Sequence, residues 1–386
     1  MNILIVCHYG LYQNPSSSFV HAQAAAYAAL GHRVRVLIPL PQGKADRKGR
    51  RLSLCSTISV VDQVELYDLR FLSLSNFGAK IGWNTFAAKQ VIKMHWKQVM
   101  SDFTPDIIHA HTLGFDSEIG AWFKARLHVP LVVTTHGSDT SIPYEQGQLS
   151  WLAEEAAPAN HVAAVSSALA KKLADSGTKT SISVILNGFR IQALPATAER
   201  KPYSVIQVGH LIAQKHFDTT LRAFARLKET QPAACLTIVG HGSEQKALEQ
   251  LAQELGVSDA VRFTGELSNE DVLAEMSRAQ FFCMPSVREG FGIVYLEAMA
   301  AGCITIGTED EGIADLIESG KNGFLVPPES PDAIVRVMAW CLAHPQEAAA
   351  IARRGNQDAM VLTWEGNAKK YLELFRTLLE GEKKQT

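Results

Sequence analysis

Paired cysteines are missing from this chain. Its six cysteines (Cys7, Cys55, Cys235, Cys283, Cys303 and Cys341) are scattered without a C-x-x-C pair, so no cysteine-built metal or redox framework is expected. Several stand in apolar runs and read as reduced core residues, which places the chain in the cytosol. Long apolar runs are also missing. None approaches the roughly 20 residues that span a bilayer, and Met1-Asn2-Ile3-Leu4-Ile5-Val6 is too short for a signal peptide and lacks a basic region. Net charge is small, −2, which argues against a dedicated nucleic-acid binder while leaving room for a local basic patch. No short-period repeat is present. The acidic cluster Glu309-Asp310-Glu311 lacks ligand-like surroundings. It reads as a solvated loop, and no metal site is expected.

What is present is an alternation of strand-like and helical stretches. At 386 residues the chain exceeds the usual size of a single core, so two domains are the default. In the first half the apolar runs Ile3–Cys7, Arg33–Ile38, Ile107–His109, Leu131–Thr135, His161–Val165 and Ser183–Ile185 read as strands buried on both faces. A helix over Val20–Leu30 stops at Gly31. A polar, proline-bearing stretch at 191–203 reads as a linker between a first domain, 1–190, and a second, 204–365. The alternation restarts with strands at Ser204–Val208, Leu236–Val239, Arg262–Thr264, Phe281–Met284 and Ile304–Ile306. Helices are expected at Asp218–Glu229, Glu244–Leu255, Asp271–Arg278 and Ile293–Ala301. Trp364–Glu380 carries Tyr371, Leu372, Leu374, Phe375, Leu378 and Leu379 at helical spacing. The expected fold class is α/β, with parallel sheets in two doubly wound domains and a cleft between the carboxyl ends of the sheets.

The most informative run is Glu289-Gly290-Phe291-Gly292 through Glu297 to Gly302. Eight residues is about 2.2 helical turns, near enough to whole turns for both acids to face one way. Gly290 and Gly292 expose backbone N–H groups where a helix begins, and such an end attracts anions and hydrogen-bond acceptors. The segment reads as a strand, a loop ending in an acid, and a buried helix carrying a second acid.

This signature, in the setting Pro285-Ser286-x-x-Glu289-Gly290-Phe291-Gly292, resembles the retaining glycosyltransferases of family 4, which have the GT-B fold. Val208-Gly209-His210-Leu211 with Lys215, Ile238-Val239-Gly240-His241-Gly242, Val261–Gly265 and Asn322–Val326 agree in order and spacing, as do Thr135-His136-Gly137-Ser138-Asp139, Val165-Ser166 and Asn187-Gly188 in the first half. The resemblance implies that residues 366–386 pack back on the first domain. It also implies a donor diphosphate near Lys215 and His210. Many members carry arginine where His210 stands and glycine where His216 stands, and a neutral histidine is a poorer anion partner than arginine. By the same resemblance, the N–H groups of Phe291 and Gly292 face phosphate or sugar, and Glu289 grips the donor-sugar hydroxyls, as nucleophile or as positioning acid. Glu297 bonds the ribose hydroxyls, Phe263–Leu267 meets the base, and His136 lies near the reacting sugar. The loop Tyr9–Ser18, with Phe19 and His21, shapes the acceptor side. The implied reaction needs no cofactor and no metal, because positive charge and N–H dipoles neutralise the diphosphate.

Sequence does not choose the nucleotide, and UDP is preferred to GDP by prior alone. The expected partners are a nucleotide-sugar donor and a saccharide or lipid-linked glycan acceptor, as in surface-polysaccharide assembly, with no nucleic acid. Two basic features, Gly43–Arg51 and the stretch Ile81–Met100 with Lys89, Lys93 and Lys97 among Trp83, Phe86 and Trp96, fit either an anionic membrane surface or, for the helix, an ordinary core face. Two other functional classes are compatible with the fold: a nucleotide-sugar 2-epimerase and a non-catalytic nucleotide-sugar-binding protein. The retained Glu289, Lys215 and His136 disfavour the second of these.

Overall fold

A computed structural model describes residues 1–8, 18–42, 56–73, 81–190 and 200–383. The chain forms two compact units, Met1–Gly188 with Trp364–Thr386, and Phe189–Thr363. Tyr9, Cys55, the basic segment at 43–51 and the expected linker from 191 to 199 lie outside the described residues. Arg200–Tyr203 belong to the second unit, where Arg200 donates to the carbonyls of Ala279 and Ala301 and Lys201 N–H to that of Arg278.

The first unit runs β1 (Asn2–Val6), α1 (Phe19–Ala29), β2 (Arg33–Gln42), β3 (Thr57–Val61), β4 (Val64–Leu72), α2 (Ile81–Met94), α3 (Trp96–Val99) and β5 (Ile107–Ala110). It continues through α4 (Phe115–Leu127), β6 (Leu131–Thr135), α5 (Ser138–Glu145), α6 (Leu149–Ala156), β7 (His161–Ala164), α7 (Ser167–Asp175) and β8 (Ser181–Val184). The described strands form one sheet in the order β3-β4-β2-β1-β5-β6-β7-β8. β1 is central, with Ile3 beside Val34 on one side and Ile107 on the other. Its Ile, Leu and Val side chains are fully buried, as a strand covered on both faces requires.

The sheet departs from an all-parallel expectation at one edge, where β3 pairs antiparallel with β4. Ile58 and Val60 of β3 are exposed, so this strand carries no buried apolar pattern that would announce it. β2 also runs past Ile38 through Pro39 and Pro41. Its pairing with β1 ends at Leu37, while that with β4 continues to Gln42, so the prolines stand where one side of the strand has no ladder to break.

The second unit runs β9 (Ser204–Val208), α8 (Phe217–Thr230), β10 (Cys235–Val239), α9 (Gln245–Glu254), β11 (Val261–Phe263), α10 (Asn269–Arg278) and β12 (Phe281–Cys283). Then come α11 (Ile293–Ala300), β13 (Ile304–Thr308), β14 (Phe324–Val326), α12 (Pro331–Ala343) and α13 (Pro345–Met360). The sheet is parallel, in the order β11-β10-β9-β12-β13-β14. Val205, Leu236, Ile238, Phe281 and Ile306 pack with Phe217, Leu221 and Phe224 of α8 in its core. The last helix, α14 (Trp364–Lys383), returns to the first unit. Ala368, Tyr371, Leu372 and Phe375 join Val20, Ala24 and Tyr27 of α1 in the core above β1 and β2.

Candidate active site

In the second unit the chain builds outward from β9 to β10 and β11, then returns to place β12 on the other side of β9. β9 and β12 therefore flank the switch point, where an open α/β sheet leaves a crevice at the strands' carboxyl ends. Gly209 and His210 follow β9, and Lys215 closes the 3-10 turn Ala213–Lys215 that leads into α8. Glu289 follows β12. Lys215 Nζ and the Glu289 carboxylate form an ion pair, both side chains only 17% exposed. The Gln207 side-chain amide nitrogen Nε2 donates to the Lys215 carbonyl at 2.8 Å, and Val287 N–H donates to that of Gln214 at 2.9 Å. The loop bearing the acid and the turn bearing the base are thus tied together through their backbones.

Glu289 precedes α11 and is not part of it, so helical periodicity does not align the two acids. Phe291 is buried and Gly292 caps the helix with φ +78°. A Cβ on Gly292 would lie 2.7 Å from the Tyr295 ring and 3.1 Å from Glu289 Cγ, so only glycine fits. Tyr295 donates to the Met284 carbonyl at 2.5 Å, fixing α11 to the end of β12. The amide N–H groups of Gly290, Phe291 and Gly292 donate to no acceptor among the described residues. Glu297 sits on α11, and burial raises its pKa to about 7. Phe263 and Leu267 are half-buried, and Gly265 between them accepts from Gly240 N–H at 2.9 Å. Gly240 itself is required by a close approach, since a Cβ there would stand 2.0 Å from the Gly209 carbonyl oxygen.

His210 is exposed, its ring edge-on to His241 at 5.5 Å. His216 caps α8 with φ +47°. That left-handed conformation is one glycine adopts freely and histidine does not, which gives a backbone reason for the glycine expected there.

The first unit has its own switch point, between β1 and β5. His136 follows β6, and its ring lies 4.6 Å from that of Phe19 at the start of α1. His136 Nε2 is 3.1 Å from His111 Nδ1, the rings stacked. Burial, reinforced by the charge of His8, lowers the His136 pKa to about 3, so the imidazole is neutral at physiological pH. Asp139 accepts from Thr135 Oγ1 at 3.0 Å and from the N–H groups of His136 at 3.1 Å, Gly137 at 2.9 Å and Leu113 at 3.1 Å. Beside this group, His8 Nδ1 lies 2.8 Å from the fully buried Asp116, which also accepts from Thr112 Oγ1. Burial pushes the His8 pKa down, but the adjacent Asp116 carboxylate reverses this, and the net direction is upward.

The structure therefore brings Lys215, Glu289 and the Gly290–Gly292 loop together in one unit, and Phe19 and His136 in the other. Ser18 caps α1 by accepting from His21 N–H at 3.3 Å. His21 is buried, with its Nε2 3.0 Å from Asp62 in the β3–β4 turn, a partner distinct from the Phe19–His136 contact. The expectation of a merely solvated acidic cluster at 309–311 is corrected. Glu311 accepts from the backbone N–H groups of Arg288 and Glu289, each at 2.8 Å. Sequence reasoning also passed over His8, His111 and Asp116. The usable signal was position, since His8 and His111 each follow a strand of the sheet's centre.

Two family models meet end to end on this chain. "Glycosyltransferase Family 4" matches residues 16–192 and "Glycosyl transferases group 1" matches 193–358. The chain belongs to this family of glycosyltransferases. Among its relatives, a D-inositol 3-phosphate glycosyltransferase of Corynebacterium urealyticum is 35% identical over 44% of this chain and 42% of its own length, so that match spans less than half of the relative. A glycogen synthase of Mycobacterium tuberculosis is 27% identical over 94% of this chain and 91% of its own. Among solved structures, Anabaena HepE in complex with UDP and glucose superposes with a TM-score of 0.72 at 21% identity, over 98% of this chain and all of that one. That likeness is one of fold, and the fold is GT-B.

Proposed function

We propose that this chain is a retaining hexosyltransferase. In this reading it moves a hexose from a nucleotide-diphosphate sugar, UDP in preference to GDP, to a saccharide or lipid-linked saccharide in glycan or surface-polysaccharide assembly. The observation that carries it is the Lys215–Glu289 ion pair at the second unit's switch point, with Glu297 on the helix that follows. UDP is put first because HepE was solved with it.

On donor binding the Lys215 ammonium turns to the diphosphate, assisted by the N–H groups of Gly290–Gly292, which stabilise the negative charge that grows on the leaving group. This charge set does its work without a metal. Glu289, released from the lysine, accepts hydrogen bonds from sugar hydroxyls. The anomeric C–O bond to phosphate breaks, the acceptor oxygen bonds to the same face, and its proton passes to the departing diphosphate. Glu297 takes the ribose hydroxyls, a vicinal pair that one carboxylate can bind together, and Phe263–Leu267 borders the base. His210 stands near the phosphates. In the first unit, neutral His136 hydrogen-bonds the reacting sugar without adding charge, and Tyr9, Ser18, Phe19 and His21 belong to the acceptor side.

Peripheral binding to an anionic membrane face is part of the proposal. On α2, Trp83, Phe86 and Met94 are exposed along with Lys93, and Lys97 on α3 is exposed as well. Ala88, Val91 and Ile92 serve the core. No described helix is long and apolar enough to cross a membrane. Co-sedimentation with anionic but not neutral liposomes is expected.

A thermal-shift screen against UDP, GDP, ADP and their common sugar conjugates, without added metal, tests the donor reading. A selective rise with UDP and a UDP-hexose is expected. A selective rise with GDP reassigns the nucleotide, and no rise with any of them refutes the donor site.

A further inference from the structure

We propose that Glu311 is the positioning residue for Glu289. Its carboxylate fixes the loop from which Glu289 reaches the donor sugar, so losing it weakens recognition of the sugar and spares recognition of the nucleotide. The inference rests on the donor-site reading above.

Glu311 follows β13, the neighbour of β12 in the sheet. Its two carboxylate oxygens divide between two successive amides, Oε1 to Arg288 N–H and Oε2 to Glu289 N–H, both at 2.8 Å. Successive N–H groups converging on one anion are how a turn holds a negative charge, and such charge-assisted bonds are stronger than neutral ones. The loop needs this support. Arg288 has φ +59° and Asp310, just before Glu311, has φ +61°, a region that L residues occupy only against a steric cost.

The contact continues one residue further. A Cβ on Gly312 would stand 2.0 Å from the Gly290 carbonyl oxygen, and Gly312 N–H donates to the Glu289 carbonyl at 3.4 Å. Glu289 is therefore held at its N–H by Glu311, at its carbonyl by Gly312, and at its carboxylate by Lys215. Only the last of these holds is given up when Lys215 turns to a diphosphate. Glu311 and the Gly312 N–H then keep Glu289 in place at the stage where Glu289 meets the sugar, and the Glu311 bond is the shorter, charge-assisted one.

The test is calorimetry on the full chain with UDP, UDP-glucose, GDP and GDP-mannose, for wild type, Glu311→Gln, Glu311→Ala, Glu289→Ala and the Glu289→Ala/Glu311→Gln double variant. Glutamine keeps the size of Glu311 but turns an NH2 toward one of the two amides. Nucleotide affinity is expected to stay within about twofold of wild type in the Glu311 variants. The gain in affinity brought by the sugar is expected to fall by about tenfold or to the Glu289→Ala level, further for alanine than for glutamine. In the Glu289→Ala background, Glu311→Gln is expected to change nothing more, the mark of two residues acting as one. A sugar contribution intact in the Glu311 variants but lost in Glu289→Ala overturns this inference alone. Equal loss for nucleotide and sugar nucleotide assigns Glu311 a purely structural role and also overturns it. A sugar contribution unchanged in Glu289→Ala, or no binding by wild type, overturns the donor-site reading and the inference with it.

Discussion

Replacing Glu297 with glutamine removes a carboxyl whose pKa burial raises from 4.5 to about 7. In the unfolded chain this group ionises near its ordinary value, and in the folded chain only near 7. Between those values the folded state holds a proton that the unfolded state has released, so wild-type stability falls as pH rises through the window and the loss is complete above it. At about 1.4 kcal/mol per pH unit, the full loss is about 3 kcal/mol. Glutamine has no proton to release. The variant is expected to match wild type near pH 4 and to exceed it by about 3 kcal/mol at pH 8, measured by urea titration with hydrogen exchange of α11 as the local probe. Nucleotide binding reads the same proton from the other side. Ribose hydroxyls donate to an ionised carboxylate, so binding expels the proton, and wild-type affinity climbs with pH until about 7 and then levels. At pH 6.5, calorimetry in buffers of different ionisation heat should register release of up to about 0.8 proton per nucleotide. In Glu297→Gln the affinity for a sugar nucleotide, whose phosphates stay ionised throughout this window, is expected to be weaker and to lose that pH dependence. A wild-type affinity that does not change from acid to neutral pH, with no proton release, refutes the reasoning.

Glu289→Ala is expected to abolish sugar transfer with melting temperature little changed, and near-normal turnover would remove Glu289 from the site. Lys215→Ala is expected to weaken nucleotide binding by about 1.5–3 kcal/mol, the scale of a lost charge-assisted hydrogen bond, and an unchanged dissociation constant would put the phosphates elsewhere. Gly292→Ala drives a methyl into the Tyr295 ring at a positive φ, so donor binding is expected to fall at least tenfold, about 1.4 kcal/mol. Full binding by that variant would show that the loop relaxes without cost.

The strands that carry the site are legible in the sequence because they are buried on both faces. β1, β5, β6, β9 and β12 are short runs dominated by Ile, Val, Leu, Phe and Thr, with no exposed residue. β3 is not legible, because its side chains face water. Glu297 and His136 are legible because one stands within an apolar run and the other just past a strand, Glu289 because it opens a glycine-flanked loop before an apolar helix, and Lys215 through the resemblance to family 4. The partners of these residues are harder to read, since they depend on the order of strands in the sheet. His8 meets Asp116 across 108 residues only because β5 lies beside β1. Glu311 meets Glu289 only because β13 lies beside β12. Chain order gives no direct view of either neighbourhood.

The two units solve one problem in the same way. A loop at the carboxyl end of a strand carries a side chain that must be held still, yet its backbone N–H groups have no ladder to join. In the first unit Asp139 accepts from the amides of His136 and Gly137, and in the second Glu311 accepts from those of Arg288 and Glu289. In each case a carboxylate satisfies the backbone of a residue that the proposed function assigns to the sugar, leaving that side chain free of the task. An acid is the right group for this, because one carboxylate can serve two donors at once and the bonds to it are charge-assisted. Burial adds a cost. Desolvation pushes the Asp139 pKa upward, and the four hydrogen bonds it receives pull against that shift. Removing the Thr135 hydroxyl, the one side-chain donor among the four, should therefore move Asp139 further up.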